Sequence, residues 1–297
     1  MHGSGNAAAY AMRSFLFVPG DSPRKFARAA ESAADALIID LEDSVAPDQK
    51  PQARGTTADM LRGERGRQKL FVRVNALDTG LTLADLAAVM PARPDGIVLP
   101  KCGSGADVRL LSNYLEAFEA AAGTKAGHTL ILPVATETAE AIFGLGSYKE
   151  AGARLWGLMW GGEDLQASLG ATENRRDGTF HSPYRLARDL CLMGAAAAGV
   201  VAVDTVYTDI DNLAGLEAEC RAARRDGFGS KALVHPKHVD TVHVAFRPSD
   251  DEVAWATRVV AAFGEAPDAG VLRLDGKMLD KPHLRAAEKV LAQAGGG

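Results

Sequence analysis

The segment RSFLFVPGDSPRKFARAAESAADALIIDLED (residues 13–43) contains the unit from which most of the chain is built. A short apolar run, FLFV (15–18), is followed by a Gly/Pro corner, an amphipathic stretch and a second apolar run, ALII (36–39). Both runs are continuously apolar rather than alternating, which is typical of strands buried on both faces. The segment therefore predicts a strand–helix–strand unit of a parallel sheet.

The same unit repeats along the chain. Six further apolar runs follow, and they are LFVRV (70–74), GIVL (96–99), LILPV (130–134), LWGLMW (155–160), VVAV (200–203) and KALV (231–234). Because eight strands alternate with helical segments, the pattern predicts a (β/α)8 TIM barrel over residues 13–247. The alternative is an open doubly wound sheet, which usually carries a Gly-rich fingerprint after its first strand. Here that strand runs into PGDSPRK (19–25) instead.

Two terminal segments fall outside this repeat. Residues 1–12, MHGSGNAAAYAM, are predicted to be a flexible leader, because they lack the basic start and apolar stretch of a signal peptide. Residues 248–297 contain two helical patterns separated by an extended piece, VLRLDGKMLD (271–280). Since a barrel can close without it, this C-terminal extension is predicted to be a lid or an oligomer contact.

Composition narrows the class of protein. The 297 residues are 47% hydrophobic and 24% charged, which is ordinary for a globular chain. The net charge of −5 disfavours binding to nucleic acid, and no apolar stretch is long enough for a membrane span. Three cysteines without CxxC spacing are predicted to be core residues of a protein in the reducing cytoplasm.

Two carboxylates follow adjacent predicted strands, where barrel enzymes carry their reactive groups. Glu137 follows the fifth apolar run and Asp164 follows the sixth. Without Cys or His beside them they suit Mg²⁺, which one or two carboxylates commonly hold together with water and substrate oxygens. The alternative is that both carboxylates only solvate the barrel rim. Gly161 and Gly162 favour a functional turn, because glycine permits the close approach of a ligand, and Gly162 is predicted to contact substrate.

Basic groups follow other strands. Arg73 lies within LFVRV, where a charge is costly unless it is paired or faces the pocket. Its guanidinium suits bidentate recognition of a carboxylate or enolate, and the alternative is an ion pair with Glu42; both can hold at once. Arg24 and Lys25 open the first helix, where two cations beside a helix N-terminus predict an anion site. The alternative for these two is a solvated surface pair.

Two further groups have a structural interpretation. Asp280 directly precedes the last helical pattern, in the position of an N-cap. His235, His238 and His243 follow the eighth run, but zinc is disfavoured because no matching Cys pattern or HExxH motif is present. His235 with Pro236 is better explained as fixing the loop after the eighth strand.

Nine strings of the chain resemble the citrate lyase β-subunit-like family, within the wider HpcH/HpaI aldolase and malyl-CoA lyase group. They occur in order from Arg13 to His283, and they are RSFLFVPGDSPRKFARA, ALIIDLEDSVAPDQKPQAR, FVRVNALDTG, GIVLPK, PVATETAEAI, WGGEDLQASLGA, VDTVYTDIDNLAGL, GFGSKALVHPKHV and DGKMLDKP. The resemblance implies a (β/α)8 barrel that cleaves or forms a C–C bond between a CoA thioester and a 2-oxo acid, with Mg²⁺.

The resemblance also implies roles for individual residues. Glu137 of ATET and Asp164 of GGEDL match the metal ligands, and Arg73 of RVN matches the substrate-binding arginine. Asp280 of GKMLDKP matches an acid/base that acts in its own subunit or in a neighbouring one, so a homo-oligomer, a trimer or hexamer, is expected. Glu42, beside Arg73, is predicted to be a further catalytic residue.

The family comparison also bears on the substrate. Arg24 and Lys25 are predicted contacts for the phosphates of CoA. Related aldolases that act on free hydroxy-oxo acids use a His after an early strand, whereas DLEDS (40–44) follows the second strand here and favours the CoA-ester branch. Two alternatives stay open: a citrate lyase β subunit that acts on a substrate linked to acyl carrier protein, and a non-catalytic acyl-binding subunit of a complex.

Overall fold

The computed structural model describes residues 12–295, so the predicted flexible leader lies, except for Met12, outside the described residues. The described chain divides into two compact units, one of residues 12–245 and one of residues 246–295. Each unit has its own secondary structure and core. Within residues 12–295 we find no helix with the length and apolar character needed to cross a membrane.

The first unit is built on eight parallel strands. They are β1 (Ser14–Pro19), β2 (Ala36–Asp40), β3 (Lys69–Arg73), β4 (Gly96–Leu99), β5 (Leu130–Pro133), β6 (Gly157–Met159), β9 (Val201–Asp204) and β10 (Ser230–Leu233), with a separate hairpin of β7 (Arg175–Arg176) and β8 (Thr179–Phe180). The sheet runs in the order β5-β4-β3-β2-β1-β10-β9-β6. Two isolated parallel bridges, Ile131–Leu155 and Val134–Met159, join β5 to β6 and close the barrel. The predicted (β/α)8 fold is therefore confirmed.

Helices connect the strands around the barrel. They are α1 (Pro23–Ala30), α2 (Lys50–Arg62), α3 (Thr82–Val89), α4 (Gly105–Ala121), α5 (Ala139–Gly144), α6 (Glu163–Leu169), α7 (Ser182–Ala198), α8 (Leu213–Asp226) and α9 (Val239–Phe246). Polar caps begin several of them; the Asn212 side chain, for example, accepts a hydrogen bond from the N–H of Gly215 at the start of α8. The segment after β5 forms two helical pieces, α5 and a 3-10 helix at Leu145–Glu150.

The barrel interior is apolar, as the continuous runs predict. Phe15 packs against Phe71 and Trp156 with ring centroids 5.4 and 5.0 Å apart, and both phenylalanines are fully buried. Such tilted and edge-on contacts are preferred by aromatic pairs. The three cysteines are all free and buried, which agrees with their prediction as core residues.

A buried ion pair lies at the amino-terminal end of the barrel strands, just before β5 and β6. Arg154 donates from Nη1 and Nη2 to the two carboxylate oxygens of Glu119, each at 2.7 Å. The N–H groups of Gly127 and Thr129 donate to the same carboxylate at 2.9 and 2.8 Å. Burial alone would raise the pKa of Glu119, but these hydrogen bonds outweigh burial and lower that pKa to about 2.

The second unit is a helix pair with a hairpin. Its elements are α10 (Asp250–Glu265), β11 (Val271–Leu274), β12 (Lys277–Asp280) and α11 (Lys281–Ala294). Ser249 begins α10 with a capping box: its Oγ accepts from the N–H of Glu252, whose carboxylate accepts from the N–H of Ser249. Phe263 of α10, Leu279 of β12 and Ala287 of α11 pack in one small core. The predicted C-terminal helices and the extended piece between them are thus present.

The Glu119–Arg154 pair predicts how barrel stability depends on pH. Because the pKa of Glu119 is lower in the folded protein than its usual 4.5, its stabilisation is complete above about pH 5 and is lost as pH falls towards 2. We expect Glu119→Gln to be less stable than wild type by about 3 kcal/mol at pH 7 and by progressively less below pH 4.5. Urea unfolding of both proteins between pH 7 and 3 tests this. A stability difference that does not change with pH would contradict it.

Candidate functional site

A cavity of about 1070 Å³ opens at the carboxyl ends of the barrel strands. Its walls come from the ends of β1, β2, β3, β5, β6, β9 and β10 and from the loops that follow them. The predicted site residues that line it are Arg24, Lys25, Arg73, Glu137, Gly162 and Asp164. Glu42 is not part of the lining, and Asp280 belongs to the C-terminal unit.

Arg73 is anchored by the carboxylate beside it in the sheet. Asp40 and Arg73 are paired residues at the ends of β2 and β3, so their side chains project from the same level. Arg73 donates from Nε and Nη2 to the two oxygens of Asp40 at 2.7 and 2.8 Å, and Nη1 lies 3.1 Å from Glu42 Oε2. The predicted ion pair with Glu42 is present, but the bidentate partner is Asp40, which sequence reasoning did not assign to Arg73.

Asp40 is a buried anion that is fully hydrogen-bonded. Besides Arg73, its carboxylate accepts the N–H groups of Glu42 and Ser44 at 2.9 and 3.0 Å. Burial would raise its pKa, but the Arg73 guanidinium and the other donors hold the pKa below its usual value. Arg73 therefore keeps a fixed orientation towards the cavity, with N–H groups left on Nη1 and Nη2.

Glu137 and Asp164 lie on neighbouring parts of the cavity wall. Glu137 follows β5 and is almost fully buried, and Asp164 is in the first turn of α6 with a third of its side chain exposed. Burial and the negative charge of Asp164 raise the pKa of Glu137 to about 8. A divalent cation between the two carboxylates would offset this repulsion, and their oxygens are the ligands that hard cations take.

Gly161 leaves room for the side chain of Glu137. A Cβ at Gly161 would lie 2.8 Å from Glu137 Cγ, closer than real Cβ contacts allow, so a side chain here would displace Glu137. The Gly161 N–H donates to Thr136 Oγ1 at 3.0 Å, which holds the loop after β6 against the loop after β5. Gly161 of the glycine pair thus has a close-packing reason beside Glu137, and Gly162 packs against the ring of Trp160.

Among residues 12–295, no three His, Cys, Asp or Glu side chains are grouped so that they could hold a metal ion. A cation at Glu137 and Asp164 would therefore need oxygens from water or substrate as its remaining ligands.

The three histidines after β10 have different partners: His235 accepts from the Lys237 N–H, His238 lies against the Ile210 carbonyl, and His243 lies against Ser14 Oγ.

Lys101 is a member of the site that was not among the predicted site residues. It follows β4 and has a left-handed backbone (φ 49°), which is uncommon for a residue with a side chain. Its N–H donates to Glu137 Oε2 at 2.5 Å, and its ammonium contacts Glu42 and lies 3.4 Å from Asp164 Oδ1. The only sequence signal was a lysine at the end of the fourth apolar run.

The remaining predicted residues, Arg24, Lys25 and Asp280, lie at the starts of helices. Arg24 and Lys25 lie exposed in the first turn of α1 at the cavity rim, followed one turn later by Arg28. Asp280 is the N-cap residue of α11, and its Oδ1 lies 2.6 Å from Nδ1 of His283. Contact of Arg24 and Lys25 with CoA phosphates, and acid/base action of Asp280, stay predictions.

A family model described as HpcH/HpaI aldolase/citrate lyase matches residues 13–236. The chain belongs to the HpcH/HpaI aldolase/citrate lyase family. The resemblance found in the sequence is thereby confirmed, as is the assignment of the chain to a family of carbon–carbon lyases. The matched residues coincide with the barrel up to the first residues after β10.

Relatives of this aldolase/citrate lyase chain carry more than one named activity. A citrate lyase subunit beta-like protein of Mycobacterium tuberculosis is 37% identical over 284 residues, covering 95% of each chain. A (3S)-malyl-CoA thioesterase of Cereibacter sphaeroides is 36% identical over 293 residues (96% and 95% covered), and citrate lyase subunit beta of Escherichia coli is 37% identical over 285 residues (95% and 93%).

Solved structures of this family show a similar fold with ligands bound. Protein CitE from Mycobacterium tuberculosis, in complex with magnesium, acetoacetate and coenzyme A, superposes with a TM-score of 0.77 at 36% identity, covering 96% of this chain and 99% of that one. A citrate lyase beta subunit of the same organism, complexed with oxaloacetate and magnesium, has a TM-score of 0.68 at 35% identity, covering 81% and 99%.

Because Asp40 and Glu42 are buried, we predict that replacing Arg73 destabilises the folded protein. Arg73→Met would leave two buried carboxylates without their guanidinium, so we expect a loss of about 3–5 kcal/mol in the free energy of unfolding. Arg73→Lys should recover only part of that loss, because one ammonium cannot reproduce the bidentate pair. Urea unfolding followed by tryptophan fluorescence measures both variants. Wild-type stability in Arg73→Met would show that the pair does not anchor the site.

Proposed function

We propose that the chain is a Mg²⁺-dependent lyase that cleaves a 3-hydroxyacyl-CoA, such as malyl-, citramalyl- or citryl-CoA, into an acyl-CoA and a 2-oxo acid, or catalyses the reverse condensation. The observation that carries the proposal is the convergence of Glu137, Asp164 and Arg73 in one cavity. The relatives bound to magnesium with CoA and acetoacetate, or with oxaloacetate, support it.

The cavity suits a long anionic substrate. Its volume of about 1070 Å³ lies just above the roughly 300–1,000 Å³ typical of ligand pockets, which fits a chain as long as an acyl-CoA. Arg24, Lys25 and Arg28 place positive charge at the rim, and a CoA thioester carries its phosphates at the end opposite the acyl group. Phosphates at the rim would leave the acyl group free to reach the carboxylates.

The residues of the barrel bind and orient the 2-oxo acid. Glu137 and Asp164 would hold Mg²⁺, which when bound acts as a Lewis acid on the oxo group and as a template. Arg73, fixed by Asp40, directs its remaining N–H groups at the same oxygens and offsets the negative charge that develops there. Gly162, on the cavity wall, is a proposed contact for the substrate.

Asp280 is the proposed acid/base. In the cleavage direction a base removes the proton of the 3-hydroxyl group, the C–C bond breaks to give the 2-oxo acid and an acyl-CoA enolate, and Asp280 gives a proton to the enolate carbon. In condensation Asp280 removes a proton from the same carbon of the acyl-CoA. Its carboxylate is partly exposed, and the family resemblance supports this role. We further propose that the chain works as a homo-oligomer in the cytoplasm and that residues 248–297 form a lid or an oligomer contact, because these residues are not needed to close the barrel.

Two relatives support alternative activities on the same site. The (3S)-malyl-CoA thioesterase supports hydrolysis of the thioester, which releases free CoA instead of a 2-oxo acid. The citrate lyase subunit beta of Escherichia coli supports action within a complex on a carrier-linked citryl group. The products distinguish the three: a 2-oxo acid with acyl-CoA, a hydroxy acid with a free thiol, or no reaction with any free CoA ester.

The first prediction of this proposal concerns the two carboxylates. The purified chain should release a 2-oxo acid from at least one of malyl-, citramalyl- and citryl-CoA, and only with Mg²⁺ present. Glu137→Gln and Asp164→Asn should each remove this activity, because one carboxylate cannot hold the cation in place. Asp78→Asn, which removes an exposed carboxylate after β3, is the control. Full activity in both site variants would refute the metal assignment, and thiol release alone would favour the thioesterase.

The second prediction concerns Asp280. Asparagine is about as good an N-cap as aspartate, so Asp280→Asn should fold normally. We expect it to bind the 2-oxo acid like wild type but to turn over about 10²-fold more slowly or worse, because the proton donor is gone. Mixing Asp280→Asn with Asp164→Asn subunits should restore part of the activity if Asp280 acts on a neighbouring subunit. Wild-type turnover in Asp280→Asn would leave this residue as a helix cap only.

A further inference from the structure

Glu42 was predicted to be catalytic, but its surroundings point to another role. Its side chain is only 8% exposed and does not line the cavity. Both of its carboxylate oxygens face cations: Oε1 accepts from the Lys101 ammonium, and Oε2 lies 3.1 Å from Arg73 Nη1. Glu42 could therefore reach a substrate only by breaking two partly buried ion pairs, which is costly.

Lys101 has a fixed backbone and a side chain that lies between two carboxylates. The Lys101 N–H is bonded to Glu137, and the next N–H, of Cys102, donates to the Val134 carbonyl at 3.3 Å. The ammonium lies between Glu42, with which it makes its closest contact, and Asp164, 3.4 Å away. A lysine side chain has several rotatable bonds, so the partner that holds it decides its position.

We propose that Glu42 is a positioning residue: it makes the closest contact of the Lys101 ammonium, keeps that ammonium from moving nearer than 3.4 Å to Asp164, and so leaves the Asp164 carboxylate able to bind a divalent cation. The proposal rests on the metal site of the proposed function. An ammonium paired with Asp164 would compete with that cation for the same oxygens, and two positive charges a few ångströms apart repel each other.

The charges around the site agree with this role of Glu42. The closest partner of Arg73 is Asp40 and that of Lys101 is Glu42, so Asp164 keeps the longer 3.4 Å contact with the Lys101 ammonium. When both are ionised, Glu137 and Asp164 together match the charge of one divalent cation. If Glu42 were neutral, Lys101 would turn to Asp164 and leave the pair with only one net negative charge. Asp43 lies 3.8 Å from both Arg73 and Lys101 but is half exposed, so solvent screens its effect.

Binding of Mn²⁺ to the full-length chain without substrate, followed by electron paramagnetic resonance of the free ion, tests the proposal. We expect Glu42→Gln to weaken Mn²⁺ binding about 10-fold or more, because Lys101 then pairs with Asp164. The double variant Glu42→Gln/Lys101→Met should return to within about 3-fold of wild type, because the competing ammonium is absent. Asp43→Asn, which removes a carboxylate beside the same two cations, should also stay within about 3-fold.

Three outcomes would overturn the proposal. The first is binding of Mn²⁺ by Glu42→Gln as tightly as by wild type. The second is binding by the double variant as weak as by Glu42→Gln alone, which would mean that Glu42 acts through Arg73 or the fold. The third applies if thermal unfolding shows that Glu42→Gln is not folded, because the Mn²⁺ affinity of Lys101→Met then tests the proposal by itself. This variant should bind Mn²⁺ at least as tightly as wild type, and a roughly 10-fold weakening would refute competition by Lys101.

Asp164→Asn separates this proposal from the proposed function. If Asp164→Asn binds Mn²⁺ like wild type, the metal site itself is wrong. If Asp164→Asn loses Mn²⁺ while Glu42→Gln does not, only the role of Glu42 fails.

Discussion

The bidentate pair between Asp40 and Arg73 is the interaction on which the candidate site depends. The pair arises from sheet register, since the last residues of β2 and β3 lie side by side. A buried guanidinium is costly unless a buried carboxylate is paired with it, and Asp40 accepts hydrogen bonds from two nitrogens of Arg73. The third nitrogen then faces Glu42, which in turn engages Lys101. One register position thus orders a chain of charges that reaches from β2 to the carboxylates after β5 and β6.

The two ends of the barrel use ion pairs in opposite ways. At the amino-terminal end, Glu119 is matched by Arg154 and two backbone N–H groups, so the pair needs no ligand. At the carboxyl end, the Lys101 ammonium lies 3.4 Å from Asp164, and burial together with the negative charge of Asp164 raises the pKa of Glu137 to about 8. The first arrangement stabilises the fold, whereas the second leaves an electrostatic cost that a bound cation would relieve. This contrast agrees with the placement of chemistry at the carboxyl end of barrels.

Sequence reasoning found the barrel because buried parallel strands must be apolar throughout, and eight such runs are visible without any structure. It found Glu137, Asp164 and Arg73 because strand ends can be located from those runs. It did not find Asp40 as the partner of Arg73, since that pairing depends on the register of β2 against β3. Lys101 was also missed, because its left-handed backbone decides where its N–H and ammonium point. Closure of the barrel by two isolated bridges leaves an equally weak signal in sequence.

The charge pattern also bears on the order in which ligands would bind, if the proposed function holds. Around Arg73 the carboxylates outnumber the cations, so a 2-oxo acid entering alone would meet the carboxylates of Glu137 and Asp164. Repulsion between like charges is strong in a partly buried site, where solvent screens little. A divalent cation at Glu137 and Asp164 would cancel that repulsion and supply the positive charge that the substrate carboxylate requires. The electrostatics of the cavity therefore favour binding of the cation before the 2-oxo acid.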